Sequence, residues 1–315
     1  MKNIDLNFYP GWTRKAITFT IDDGWLEMDR KFLSIVRPYG VKGTFNISSH
    51  NATKHNDPTL IHDTYLGYEI ANHVRLHPFA FKDGDTTKLT DETFKASTAD
   101  KSLGYREAGS PEGVYLCYRE TPNLWSRFCT AEGYITLVKE CQQELEEIFG
   151  KGGIRGFVWP YCRQENSEVI EYLKANYYGL RDAGKTAPME DASFSLPADR
   201  SNWHYNARHS NLLARAKEYE ALEDTKKLTW FCFGVHSVDF DRAQNWHELE
   251  EFCQTYGNRP EDYYYATNAE IFDYEDAVKA VIVEDGVIKN PTDKTLFIKV
   301  DGKRLTLWPK SEIEI

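Results

Sequence analysis

Six apolar or β-branched residues, Ala16-Ile17-Thr18-Phe19-Thr20-Ile21, run without a break and end in Asp22-Asp23-Gly24. A short continuous run closed by a turn signal reads as a strand. The period then changes. From Lys31 to Tyr39, Phe32, Ile35 and Val36 share one helical face, and Pro38 and Gly40 close the segment. Val41 to Ile47 reads as a second strand, followed by a polar loop. Tyr68-Glu69-Ile70-Ala71 reads as a third and ends at Asn72-His73. This alternation of strand and helix predicts βα units around a parallel sheet.

Residues 79–129 break the pattern. They are rich in Asp, Thr, Lys, Gly and Ser, with little periodicity, and read as an insertion over one face. Helical spacing returns from Ala131 to Phe149, through Ile135, Leu137, Val138, Cys141, Leu145 and Ile148, and Gly150, Gly152 and Gly153 end it. Further strands are expected at 154–159, 178–181, 193–196 and 228–235, the last ending at His236. Helices are expected at 167–175, 211–225 and 246–256. Beyond Asn258-Arg259-Pro260 a helix over 270–281 leads into alternating runs at 281–287, 295–300 and 304–308. Asp285-Gly286 and Asp301-Gly302 lie between the runs, and this dipeptide between alternating segments signals hairpins. The division expected is a barrel over 1–260, with the insertion at 79–129, and a small helix-plus-β appendage over 261–315.

A length of 315 residues accommodates that division. The net charge of −11 excludes non-specific nucleic-acid binding, which needs basic stripes against phosphate, and suits a neutral or cationic ligand. No apolar stretch reaches the ~18 residues of a membrane span. Met1-Lys2-Asn3-Ile4-Asp5 carries no apolar leader. The expected location is cytoplasmic for the chain as given, or periplasmic or secreted if a leader was removed. Six cysteines, at 117, 129, 141, 162, 232 and 253, form no CxxC pair and read as reduced.

Three features fall at the C-terminal ends of expected strands: Asp22-Asp23, His73-x-x-x-His77 and His236. Chemistry in α/β barrels sits at that edge. Two histidines four apart, with a carboxylate from another strand, suit Zn²⁺ or a similar divalent ion with an open position. A second carboxylate beside them suits a general base.

The chain resembles the polysaccharide deacetylases, carbohydrate esterase family 4. Thr20-Ile21-Asp22-Asp23-Gly24 is similar to their first motif and the stretch from Gly67 to Pro78 to their second. Trp159-Pro160-Tyr161 resembles the third and Gly234-Val235-His236-Ser237 the last. The likeness covers roughly residues 8–256 and implies a distorted (β/α)7-type barrel with a C-terminal β-rich tail. It implies a hydrolase that removes N- or O-acetyl groups from an acetylated glycan or small glycoside. Asp22 would be the base, and Asp23, His73 and His77 the ligands of one divalent metal, Zn²⁺ first, with Co²⁺, Ni²⁺ or Mn²⁺ as alternatives. The Tyr161 N–H would hold the oxyanion, and His236 would be the acid.

The chain also departs from the family. Val158 stands where an arginine usually pairs with the base, and Arg181 is a candidate replacement. Gly234 stands for a leucine of the acetyl pocket. The carboxylate that orients the acid is sought in Asp199 (with Trp203), Asp239 or Asp241. These departures keep two alternatives open: hydrolysis of a small amide or cyclic ureide, and a non-catalytic barrel that retains the metal and binds sugar. Trp25, Trp159 and Arg181 are candidates to contact substrate. Tyr263-Tyr264-Tyr265 reads as packing of the appendage. His50, His55 and His62 read as solvated, and His204, His209 and His247 have no evident partner.

Overall fold

The computed structural model describes residues 2–53, 56–83, 111–119, 124–181, 205–207, 210–223 and 226–315. The fold is α/β, of the distorted-barrel type with a parallel sheet and a β-rich C-terminal region. In chain order the first elements are β1 (Ile4–Phe8), β2 (Lys15–Asp23), α1 (Leu26–Val36), β3 (Gly43–Ile47), α2 (Ser49–Thr53), α3 (Pro58–Tyr65) and β4 (Glu69–Asn72). Next come β5 (Phe79–Ala80), β6 (Val114–Arg119), β7 (Leu124–Cys129), α4 (Ala131–Phe149), β8 (Gly156–Val158), α5 (Ser167–Asn176) and β9 (Gly179–Arg181). The chain continues with β10 (Tyr205–Ala207), α6 (Leu212–Glu220), β11 (Thr229–Val235), α7 (Ser237–Ala243), α8 (Trp246–Tyr256), β12 (Tyr264–Tyr265) and α9 (Asn268–Lys279). It ends with β13 (Ile282–Glu284), β14 (Val287–Lys289), β15 (Leu296–Val300), β16 (Lys303–Leu307) and β17 (Glu312–Glu314). Among the described residues no helix is long and apolar enough to cross a membrane.

The chain divides into two compact units. One takes Met1–Ile21, Glu27–Thr44 and Lys185–Ile315; the other takes Asp22–Leu26 and Phe45–Gly184. In the first unit β10, β11 and β2 pair in parallel, with β12 also on β2. The register sets Val235 against Ile21. The apolar run of β2 is buried, as a strand in the middle of a parallel sheet must be. Its Phe19 meets Phe32 of α1 edge-on at 4.9 Å, and Phe233 of β11 packs beside both. In the tyrosine run Tyr263 is buried, Tyr264 stacks on Tyr9, and the hydroxyl of Tyr265 bonds Tyr256. The Asp-Gly pairs do turn hairpins: Asp285, Gly286, Asp301 and Gly302 all have positive φ, which such two-residue turns require.

In the second unit β4, β8 and β9 are parallel. The amphipathic α4 covers the core formed with Val74, Phe157, Trp159, Val169 and Leu173. Its N-cap is Thr130, whose hydroxyl accepts the Gly133 N–H. Two expectations change here. The polar loop after β3 contains α2 and α3, the latter capped by Asp57, which accepts the N–H groups of Thr59 and Leu60. The segment 79–129 contains a small sheet in the order β5-β7-β6. The expected strand at 193–196, and Asp199, Trp203, His55, His204 and His209, lie outside the described residues.

Candidate metal centre and active site

The second unit gathers most of the expected site residues. Strand β2 ends on the two carboxylates. Asp22 Oδ1 accepts a hydrogen bond from Asn46 Nδ2 at 2.7 Å, and Asn46 is fully buried in β3. A buried amide on a carboxylate is a charge-assisted contact of fixed geometry. Asp23 has a φ of 80° and Gly24 one of 77°, so the chain turns back sharply. A side chain at Gly24 would also meet Ile47 Cγ2 at 2.9 Å, so glycine is required there. The turn brings Trp25 Nε1 to 3.0 Å from Asp23 Oδ2. Asn51 Nδ2 holds the Asp23 carbonyl.

His73 follows β4 and is buried. Its Nδ1 lies 2.9 Å from the Val158 carbonyl, which can only accept. Nδ1 therefore carries the hydrogen, and Nε2 presents a lone pair. That Nε2 is 3.4 Å from Asp23 Oδ1 and 3.1 Å from His77 Nε2, and His77 Nε2 is 3.3 Å from the same Oδ1. Among the described residues, Asp23, His73 and His77 form a group with one ligand atom each, all mutually within 4.8 Å. Three electron-rich atoms drawn this close suit a shared cation. Ligands ~2.0–2.1 Å from a tetrahedral ion stand about 3.3 Å apart. The donor set, two imidazoles and a carboxylate, fits a divalent metal.

The loop carrying the histidines is bent against its preference. Val74, Leu76 and His77 have φ of 61°, 69° and 49°. Each left-handed non-glycine residue costs on the order of 1–3 kcal/mol, and the surroundings must hold it there. They do. Asn72 accepts the Val74 N–H and donates to the Val138 carbonyl and the Tyr177 hydroxyl. The Arg75 guanidinium bonds Glu140 and Glu144 of α4. None of these anchors was anticipated. Asn46 alone left a sequence signal, a polar residue inside a buried apolar strand.

Tyr161 also has positive φ, 56°. Its ring stacks on Phe79 at 3.8 Å and meets His77 edge-on at 4.5 Å, while half-exposed. Trp25 is exposed beside the carboxylate. Trp159 is different: it is buried against Tyr134 and Phe157 in the core and turns no open face outward. Arg181 ends β9 in register with Val158, and its side chain lies outside the described atoms.

In the first unit, β11 ends one residue before His236, which caps α7. The His236 Nδ1 is 2.8 Å from Asp239 Oδ2, and the same oxygen accepts the His236 backbone N–H. The next residue, Ser237, donates to the buried Asp29 at 2.6 Å. Asp241 accepts from Trp246 Nε1 and pairs with Lys31. Of the described candidates, Asp239 is the one in contact with the histidine.

No curated protein matches the sequence. Among solved structures, the chain is similar to the CE4 domain of a multidomain xylanase from the hindgut metagenome of Trinervitermes trinervoides. That match has 17% identity and a TM-score of 0.46, and covers 84% of this chain and 92% of that one. A CE4 esterase from Streptococcus mutans matches with 15% identity and a TM-score of 0.46, over 82% and 87% of the two chains. A polysaccharide deacetylase from Bacillus cereus matches with 14% identity and a TM-score of 0.43, over 80% and 91%. The family model described as polysaccharide deacetylase matches residues 11–180, more than half of the chain and the whole of the Asp22–Asp23–His73–His77–Tyr161 set. The chain belongs to the polysaccharide deacetylase family.

Proposed function

We propose that the protein is a divalent-metal-dependent hydrolase that removes N- or O-acetyl groups from a glycan or small glycoside. The observation that carries this reading is the convergence of Asp23, His73 and His77 directly after Asp22, itself held by Asn46. A bound ion, Zn²⁺ by the donor set, supplies Lewis-acid polarisation of the acetyl carbonyl and of water.

The chain's residues do the rest. Asp22 takes the proton of the attacking water, with its carboxylate aimed by the Asn46 amide. The Tyr161 backbone N–H meets the negative charge that grows on the carbonyl oxygen, an interaction commonly worth a few kcal/mol. His236 returns a proton to the leaving amine or alcohol. Its Nδ1 contact with Asp239 fixes the tautomer and leaves Nε2 for that task. Asp239 thus takes the orienting role. The exposed ring of Trp25 suits stacking on a sugar.

The test is acetate release from acetylated xylo-oligosaccharides, chito-oligosaccharides, peptidoglycan fragments and an aryl acetate. Each is assayed with chelated protein and after metal is restored. Release from one sugar class that needs metal is the expected result. Metal binding with no release from any substrate overturns the hydrolase reading.

A further inference from the structure

The turn after β2 does more than present two carboxylates. We propose that Trp25 is a positioning residue of the metal centre, fixing which oxygen of Asp23 faces the histidines. This rests on the metal-centre reading above. The indole Nε1–H donates to Oδ2 at 3.0 Å, while Oδ1 is the oxygen at 3.4 and 3.3 Å from the two histidine Nε2 atoms. The two oxygens are thus divided between two tasks. A carboxylate with one oxygen held by a donor cannot swing both onto an ion. It would offer an ion one ligand atom, so that Asp23, His73 and His77 would supply three ligands in all.

Local geometry shows that the contact is built. Asp23 and Gly24 are consecutive left-handed residues, and across that reversal the side chain of residue 25 returns onto residue 23. The reversal requires glycine, because a Cβ would strike Ile47. The Trp25 ring is 44% exposed, so it is not placed there to fill the core. An exposed indole with its N–H fixed on a buried-side carboxylate is oriented by that bond. The sequence Asp23-Gly24-Trp25 therefore reads as one device: ligand, hinge and clamp.

The experiment is calorimetric titration of Zn²⁺ and Co²⁺ into the chelated full-length protein. It compares wild type with Trp25→Phe and Trp25→Leu. Both variants lack the N–H donor, while phenylalanine keeps an aromatic ring. The expected result is equal loss of affinity in both, about 10–100-fold as for other groups that orient a ligand from behind. The metal-free melting temperature should be unchanged. Affinity within twofold of wild type in both variants overturns the proposal. Wild-type affinity in Trp25→Phe with loss only in Trp25→Leu also overturns it, because the ring and not the N–H would then matter. A wild-type protein that binds neither ion overturns the metal centre and this inference with it. Full metal affinity without acetate release overturns the hydrolase reading alone.

Discussion

Asp22 shows how the surroundings of a single residue are legible in the sequence only in part. The pairing of Asp22 with Asp23, and the four-residue spacing of His73 and His77, are visible in one dimension because chain neighbours and loop neighbours stay together on folding. Asn46 stands out only as a polar residue inside an apolar strand, and its partner is not visible. It is 24 positions from Asp22 and reaches it only because β2 and β3 lie in one sheet. In the family an arginine partners the base; here Val158 occupies that position, buried, with its carbonyl on His73. A neutral amide takes the carboxylate instead. Hydrogen bonds to charged groups contribute about 1.5–3 kcal/mol, which corresponds to about 10–100-fold in rate if the full amount is spent on the base. Asn46→Leu is therefore expected to lower kcat by that factor with KM and Zn²⁺ affinity unchanged. Asp22→Asn should cost more, and adding Asn46→Leu to it should cost nothing further. Additive losses in this double-mutant cycle would show that Asn46 acts elsewhere.

At the level of elements, legibility followed length. Helix α4 is legible over Ala131–Phe149, because apolar positions recur along its 19 residues and Gly150 marks its end. Helix α8 was equally plain. The five-residue α2 and eight-residue α3 look like a polar loop in the sequence, since one or two turns give no period to count. Strands β6 and β7 hide in a polar segment because they pair with each other and with β5 rather than with the main sheet. Yet α3 carried a local signal in Asp57-Pro58, a capping residue followed by proline at the first helical position. The N–H groups of Thr59, first, and of Leu60 hold the Asp57 carboxyl below its ordinary value of 3.8. A carboxyl depressed on folding stabilises above its unfolded-state value, and that stabilisation fades as pH falls through the lower folded value. The gap in melting temperature between wild type and Asp57→Ala should thus be full at pH 6 and shrink steadily below about pH 4. Asp57→Asn, which caps without charge, should track wild type at neutral pH and change little with acid. A gap that stays constant down to pH 2 would remove the carboxylate from the account of this helix.

Across the whole molecule, the pairing least accessible to a local reading joins the two ends of the chain. Strand β1 lies antiparallel to β15, with Phe8 opposite Phe297, almost the full sequence apart. Hydrophobic pattern predicts that a segment is a strand, but not which distant strand it meets. Here side chains make the choice specific. Phe8 is 2% exposed, with the Arg14 guanidinium 4.2 Å above its ring and Lys299 Nζ at 4.4 Å. Burial raises the Asp5 carboxyl, but its bonds to Arg14 and to the Asn7 N–H outweigh that and leave it below its ordinary value. The Tyr274 hydroxyl adds a bond to the Phe8 carbonyl. The ring of Phe8 therefore gathers two cations, while its backbone ties the strand edge to a helix. Removing the ring leaves a cavity and exposes both cations to a vacated apolar wall, which for buried Phe→Ala costs about 3–5 kcal/mol. Phe8→Leu keeps most of the burial and loses the ring's attraction for the cations, about 0.5–2 kcal/mol for the pair. Urea unfolding should rank wild type, Phe8→Leu and Phe8→Ala in that order, with Zn²⁺ affinity the same in all three folded proteins. A Phe8→Ala protein as stable as wild type would mean that the β1–β15 pairing is held by its backbone bonds alone.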